Sequence, residues 1–152
     1  MFFVTAVRTV LGKYATFSGR ARRSEYWWWA LAQGLVIGIP YVIALVIVGV
    51  ASADPDTVEP PPAFLALSGV VLLLALALFL PSLAVTVRRL HDTGRTGWWY
   101  LISLVPFGGI VLLVFSVLDS TPGDNAWGQN PKGVGGAAYG YGGAPPYGSP
   151  YA

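Results

Sequence analysis

The sequence contains no cysteine, which excludes disulfide bonds, thiol catalysis and zinc or iron–sulfur sites built on cysteine. Charge is also scarce: charged residues make up 11% of the 152 residues, against about 25% in a soluble domain. Hydrophobic residues account for 55% and the mean hydropathy is +0.61, so lipid is the predicted solvent for much of the chain. The composition therefore indicates one small membrane domain of all-α class.

Residue patterns that carry catalysis are lacking as well. The chain has one histidine, His91, and neither an HExxH motif nor a serine-nucleophile motif. Adjacent residues on a helix point about 100° apart, so Asp92 is poorly placed to orient His91 as a base. The net charge of +2 is too small to indicate a nucleic-acid partner. We therefore expect no enzyme activity, no cofactor, no metal site and no nucleic acid.

Long apolar runs predict three membrane-spanning helices, over about residues 26–50, 63–87 and 98–118. Pro106–Gly109 interrupts the third run, so this run is either a kinked span or a re-entrant pair of half-helices. We expect the kinked span. The second helix should extend to His91 and stop at Gly94. Residues 1–132 then form the membrane domain, and the Gly/Tyr/Pro-rich residues 133–152 form a disordered tail.

Two further patterns concern helix surfaces. Arg8 and Lys13 interrupt the apolar run of residues 1–17, as a signal peptide would not allow. Because they fall on the polar face of a helix whose other face is apolar, the segment is predicted to be an amphipathic helix lying in the membrane interface. Small residues at Ala30, Gly34 and Gly38 form a ridge that lets another helix approach closely. We expect the ridge to pack inside the chain's own bundle, and a homo-oligomer is the alternative.

The distribution of Lys and Arg predicts the orientation. The N-terminal segment carries five, the loop at residues 51–62 none, the following connection three and the tail one. Because cytoplasmic loops are enriched in Lys and Arg, the N-terminus is predicted to be cytoplasmic. Three spans would place the C-terminus outside, whereas a re-entrant third run would place it inside.

Basic and aromatic residues cluster at the edges of the apolar runs, as is typical of a membrane–water boundary. Guanidinium groups match phosphate oxygens, so the cluster indicates a face that binds anionic lipid headgroups or a membrane protein partner. The backbone N–H groups of the Thr93–Gly97 loop are a further candidate anion site. The candidate binding residues are Arg20, Arg22, Arg23, Arg88, Arg89, His91 and Arg95, and the candidate interfacial aromatics are Trp27, Trp28, Trp98 and Trp99.

Other interpretations use the same residues. The charges can merely anchor and orient the protein, with Asp92 paired to Arg88 four residues earlier and Glu25 to Arg22 three earlier. Glu25 is also predicted to pair across helices with Arg88, Arg89 or His91. A membrane enzyme acting on a lipid or phosphate headgroup, with His91 as general base, is the remaining alternative.

Four motifs together resemble one known family. They are residues 17–27 (FSGRARRSEYW), residues 88–99 (RRLHDTGRTGWW), residues 106–108 (PFG) and residues 121–131 (TPGDNAWGQNP). The pattern is similar to the DUF805 family of small bacterial inner-membrane proteins. The resemblance implies a multi-span helical protein of the bacterial plasma membrane, and it implies no activity. The acidic, Pro-rich first loop and the tail after Lys132 depart from the family pattern.

Overall fold

The computed structural model describes residues 2–52 and 59–133. All regular elements in these ranges are helices, which confirms the all-α class. They are α1 (Phe3–Gly12), α2 (Arg23–Ala51), α3 (Pro62–Asp92), a 3-10 helix (Gly97–Leu104) and α4 (Gly108–Val117). The prediction of a disordered tail falls on residues that lie outside the described ranges, apart from Gly133.

The chain divides into two compact units, and each is considered by itself. The first comprises Met1–Thr16 and Ser24–Val85, and the second comprises Phe17–Arg23 and Thr86–Ala152. Two helices in the described ranges are long and apolar enough to cross a membrane, namely α2 with 29 residues and α3 with 31. They contain the first two predicted spans, and each boundary lies one to five residues beyond the predicted one.

A polar contact joins α2 to α3 in the first unit. The Trp29 indole donates a hydrogen bond to the Ser82 hydroxyl at 3.0 Å, and that hydroxyl lies 2.6 Å from Gln33 Oε1. The contact therefore places Trp29 and Gln33, in the N-terminal part of α2, beside Ser82, in the C-terminal half of α3. The sequence predicts that Gln33 needs a hydroxyl or carbonyl partner, because lipid offers none. Ser82 confirms it.

Helix α1 packs on the other helices of the first unit. Ala6 and Val10 are fully buried, and the Phe3 ring meets the Trp28 ring edge-on, with centroids 5.7 Å apart. The Tyr14 hydroxyl, just beyond α1, donates to the Ala77 carbonyl. Pro81 has no N–H to offer that carbonyl, so Tyr14 replaces the missing helical donor. The predicted amphipathic helix therefore exists, and its position in the membrane interface stays a prediction.

The small-residue ridge of α2 is not packed as predicted. A Cβ atom built on Gly34 or on Gly38 would meet no atom of the described structure within 4 Å. The expectation that the Ala30–Gly34–Gly38 ridge packs inside the chain's own bundle is therefore wrong. A homo-oligomer stays a prediction.

The third predicted span, 98–118, is wrong as a single crossing helix. The Trp99 and Phe115 rings are in edge contact, with centroids 5.6 Å apart, whereas sixteen residues of straight helix would separate them by about 24 Å. The chain reverses at Pro106, Phe107 and Gly108, and a Cβ on Gly108 would lie 1.6 Å from the Ile102 carbonyl oxygen. Only glycine fits that approach. The run is thus the folded-back pair of half-helices that the sequence left as the alternative.

The polar contact in the first unit gives a test of helix pairing. Replacing Ser82 with alanine should lower the free energy of unfolding in detergent by about 1 kcal/mol, because Trp29 and Gln33 lose a shared partner in an apolar environment. Ser68→Ala, on the same helix, is the matched control and should change little. Equal thermal midpoints for the two variants would show that the contact does not stabilise the pair.

Candidate functional site

The end of α3 is fixed by a glycine. The Arg95 amide donates to the Leu90 carbonyl at 2.9 Å and the Gly94 amide to the His91 carbonyl at 3.1 Å, which is the Schellman pattern. Gly94 has φ 76°, and a Cβ there would lie 3.1 Å from Thr121 Cγ2. Glycine is therefore favoured by the left-handed backbone, and a Cβ would also be crowded by the Thr121 methyl group. The predicted stop at Gly94 is confirmed.

The same cap corrects the predicted anion site at the Thr93–Gly97 loop. The amides of Thr93 and Arg95 both donate to the Leu90 carbonyl, at 3.1 and 2.9 Å, and the Gly94 amide donates to His91. Three of the amides that would have bound an anion are therefore used to close the helix. This loop does not have the row of free N–H groups that the sequence indicated.

Asp92, the last residue of α3, is the centre of the second unit. Its side chain is completely buried, and its two oxygens accept hydrogen bonds from three side chains. Arg20 Nε donates to Oδ1 at 3.0 Å, Ser120 Oγ donates to Oδ2 at 2.6 Å, and Arg89 Nη1 also donates to Oδ2. The two arginine side chains are 1% and 2% exposed. The negative charge of one carboxylate thus faces the positive charges of two buried guanidinium groups.

Arg20 carries this interaction to the C-terminal segment. Its Nη1 donates to the Gly123 carbonyl at 2.8 Å, and its Nη2 donates to the Thr121 carbonyl at 2.8 Å. The Thr121 amide in turn donates to the Asp92 carbonyl at 2.9 Å. The guanidinium fork reaches three acceptors in fixed directions, which a lysine ammonium on its flexible stem does not reproduce.

Arg89 binds the end of α4. Its Nε donates to the Ser116 carbonyl at 3.1 Å, and its Nη2 donates to the Leu118 carbonyl. Arg23 Nε also donates to the Leu118 carbonyl, at 2.8 Å. The last carbonyls of a helix have no partner inside the helix and carry its negative dipole end, so cations stabilise them. The two arginines therefore cap α4.

His91 packs inside the second unit rather than facing a cleft. Only 8% of the residue is exposed, its ring stacks on Trp127 at 4.9 Å, and its Nδ1 lies 3.2 Å from the Gly19 carbonyl oxygen. Nδ1 must carry the proton to donate to that carbonyl. Asn125 Nδ2 donates to the His91 carbonyl at 2.9 Å. His91 thus holds the segment after α4.

A further set of charged residues in the second unit lies at or near its surface. Arg22 is exposed, the Arg23 side chain is 40% exposed, and the Arg95 guanidinium lies 4.0 Å from the centre of the Phe115 ring. Asp119 accepts a hydrogen bond from Lys132, and this contact holds the pKa of the Asp119 carboxyl below its usual range. Arg23 pairs with the same carboxylate at 3.4 Å. These groups form the charged rim of the second unit.

The predicted site residues thus separate into two sets. Arg20, Arg89, His91 and Asp92 meet in the buried network, whereas Arg22, Arg23 and Arg95 reach the rim. Arg88 is fully buried. Glu25, in the first unit, is 4% exposed, and the ion pairs predicted for Glu25 stay predictions. Within residues 2–52 and 59–133, no cluster of histidine, aspartate and glutamate suits a metal ion.

Sequence reasoning named Arg88 as the partner of Asp92 and missed the partners Arg20, Arg89 and Ser120. It also missed Thr121 and Gly123 as acceptors for Arg20, although both stand in the TPGDN stretch. The signal was present, because a polar, turn-forming segment after an apolar run offers many carbonyl groups. Nothing in this segment identifies which arginine its carbonyl groups bind.

Comparison with known proteins places this network in a family. The profile of the family described as "Protein of unknown function (DUF805)" matches residues 14–129, which include all the residues of the Asp92 network. The chain belongs to the DUF805 family.

Inner membrane protein YhaI of Escherichia coli (strain K12) is 43% identical over 125 residues, which cover 82% of this chain and 92% of YhaI. Inner membrane protein YhaH of the same strain is 36% identical over 126 residues, covering 81% and 93%. No solved structure matches this DUF805 chain.

The network predicts a large effect of neutralising Asp92. In Asp92→Asn, two buried guanidinium groups lose their counter-charge, so the free energy of unfolding should fall by about 3–5 kcal/mol. Asp119→Asn removes a carboxylate whose side chain is 63% exposed, so water already screens its charge and the free energy of unfolding should change little. Denaturant unfolding in detergent, followed by tryptophan fluorescence, measures both. Equal unfolding midpoints for the two variants would contradict the assignment of Asp92 as the centre.

Proposed function

We propose that the chain is a non-enzymatic, two-span protein of the bacterial inner membrane whose cytoplasmic face binds anionic lipid headgroups. The observation that carries the proposal is the distribution of positive charge across α2 and α3. With these two helices as the spans, all nine Lys and Arg residues belong to segments on one side, and the connecting loop has none.

The second unit supports this topology. Arg20, which precedes α2, donates to the carbonyls of Thr121 and Gly123, which follow α4. Segments that share hydrogen bonds in one compact unit lie on the same side of a bilayer. These hydrogen bonds support a C-terminal segment on the N-terminal side, rather than on the opposite side as three spans would require. Two relatives are named as inner membrane proteins, and cytoplasmic segments of such proteins are enriched in Lys and Arg. Both observations support the cytoplasm as the side that carries these segments.

The groups available to headgroups are those on the rim. Arg22, Arg23 and Arg95 are exposed or half-buried, and Trp98 and Trp99, 79% and 46% exposed, are neighbours of Arg95 along the chain. Guanidinium groups bind phosphate oxygens and tryptophans prefer the interface, so the rim suits an anionic leaflet. Arg20, Arg89 and His91 act indirectly, by holding the segments that carry the rim. Trp27 and Trp28, 43% and 37% exposed, are candidates for the interface in the first unit.

The enzyme alternative has less support from the geometry. A general base must reach the proton that it removes, and His91 is 8% exposed with Nδ1 directed at the Gly19 carbonyl. Asp92 accepts from two arginines and Ser120 rather than from His91. The proposal therefore takes this His–Asp pair as part of the scaffold.

Lipid selectivity tests the proposal. The protein is reconstituted in nanodiscs of phosphatidylcholine with a minor fraction of phosphatidylglycerol, and co-purifying lipids are weighed by native mass spectrometry. The double variant Arg22→Gln/Arg95→Gln should lose phosphatidylglycerol enrichment by about fivefold per arginine, since each interfacial cation contributes about 1 kcal/mol.

Arg22→Lys/Arg95→Lys is the matched control, because it keeps both charges, and it should retain most of the enrichment. Unchanged enrichment in the glutamine variant would contradict headgroup binding by the rim. Loss of a co-purifying protein instead of lipid would point to a protein partner.

A further inference from the structure

The hairpin made by the 3-10 helix and α4 has an apolar surface. No charged residue occurs between Arg95 and Asp119. Its large side chains are largely exposed: Trp98 79%, Leu104 81%, Phe107 81% and Ile110 60%. Large exposed apolar side chains concentrated on one short segment mark contact with a partner or a membrane, because their exposure to water is unfavourable.

The two arms of the hairpin match one leaflet in length. The 3-10 helix has 8 residues and α4 has 10. At rises of about 2.0 and 1.5 Å per residue, the arms are about 16 and 15 Å long. The hydrocarbon core of a bilayer is about 30 Å thick, so each arm corresponds to about half of it.

The turn at the hairpin tip satisfies much of its backbone internally. The Val105 amide donates to the Ile102 carbonyl at 3.0 Å, the Gly108 amide to the Val105 carbonyl at 2.9 Å and the Ile110 amide to the Phe107 carbonyl at 2.9 Å. Pro106 has no N–H group. Unpaired backbone donors are what normally exclude irregular structure from hydrocarbon, and this turn limits that cost.

Phe107 is an unusual residue for the tip of a hairpin. Its φ is 66°, the only positive φ of a non-glycine residue in the described ranges, and 81% of it is exposed. Glycine or asparagine adopts this left-handed conformation more easily than an aromatic residue does. A strained backbone carrying an exposed aromatic ring indicates that the ring has a partner outside the chain.

The base of the hairpin is attached to the charged network. Trp99 packs edge-on against Phe115, and the Arg95 guanidinium lies over the same ring at 4.0 Å. Arg89 and Arg23 bind the Ser116 and Leu118 carbonyls at the end of α4. Cations and aromatic rings lie at the base, whereas the residues toward the tip carry no charge and are mostly apolar, with Ser103 as a polar exception. This order matches the order of groups from the interface into the hydrocarbon.

We infer that the hairpin is a re-entrant wedge that occupies the hydrocarbon of the cytoplasmic leaflet, with Phe107 at its deepest point. The inference rests on the two-span topology proposed above but not on headgroup binding. The occupant around the wedge is lipid acyl chain, since both arms end at the depth of one leaflet and the turn carries no charge. Insertion of the wedge into one leaflet only would make the protein asymmetric across the bilayer.

The absence of native cysteine allows a direct depth measurement. Single-cysteine variants F107C, at the tip, and T96C, at the base, are reconstituted in vesicles of phosphatidylcholine and phosphatidylglycerol. A membrane-impermeant maleimide should label F107C at least about tenfold more slowly than T96C from either side, because a thiol in hydrocarbon does not ionise to the reactive thiolate. A fluorophore on F107C should be quenched by lipids brominated deep in their acyl chains. V105C is the second probe of the tip if F107C does not fold.

Each other outcome overturns the wedge. Labelling of F107C from the side opposite to T96C means that the run crosses the bilayer. Labelling as fast as T96C means that the tip lies in water. Protection without lipid quenching, accompanied by a disulfide-linked dimer, means that a second copy covers the hairpin. Loss of phosphatidylglycerol enrichment in the Arg22/Arg95 variant would leave all of these readouts unchanged, so the two proposals fail separately.

Discussion

Burial of the Asp92 carboxylate beside two guanidinium groups is the interaction on which the second unit depends. Removing a charge from water costs several kcal/mol, and the cost is offset only when the partner charges and hydrogen bonds are well placed. Here Arg20, Arg89 and Ser120 supply three donors to the two carboxylate oxygens. Both arginines then extend to backbone carbonyls, so one carboxylate orders the residues before α2, the end of α3 and the residues after α4.

Arginines clustered near a membrane surface can be structural residues rather than groups that bind lipid. Arginines near apolar runs are usually interpreted as groups that bind phosphate. In this chain Arg20 and Arg89 are almost fully buried and donate to carbonyls and Asp92, while Arg22 and Arg95 remain at the rim. Each of the two arginine clusters in the sequence, residues 20–23 and 88–95, thus supplies a buried arginine to the scaffold and an arginine to the charged rim.

Local patterns were readable from the sequence. The apolar runs gave α2 and α3, and Gly94 marked the end of α3, because helix length and capping depend on neighbouring residues. The partners of Asp92 were not readable, since Arg20 is 72 residues away and several arginines had equal claims. The hairpin was only the alternative to a kinked span for a related reason: hydropathy measures how apolar residues 98–118 are, but not that Gly108 approaches Ile102 and reverses the chain.

The central claim is that Arg20 and Asp92 stabilise the second unit as a pair. A double-mutant cycle of Arg20→Gln and Asp92→Asn, measured as the free energy of unfolding in detergent, tests it most directly. The account predicts a coupling energy of about 1.5–3 kcal/mol, as expected for a hydrogen bond between charged groups, so that the double variant is less destabilised than the sum of the single variants. Additive effects within about 0.5 kcal/mol would contradict the claim.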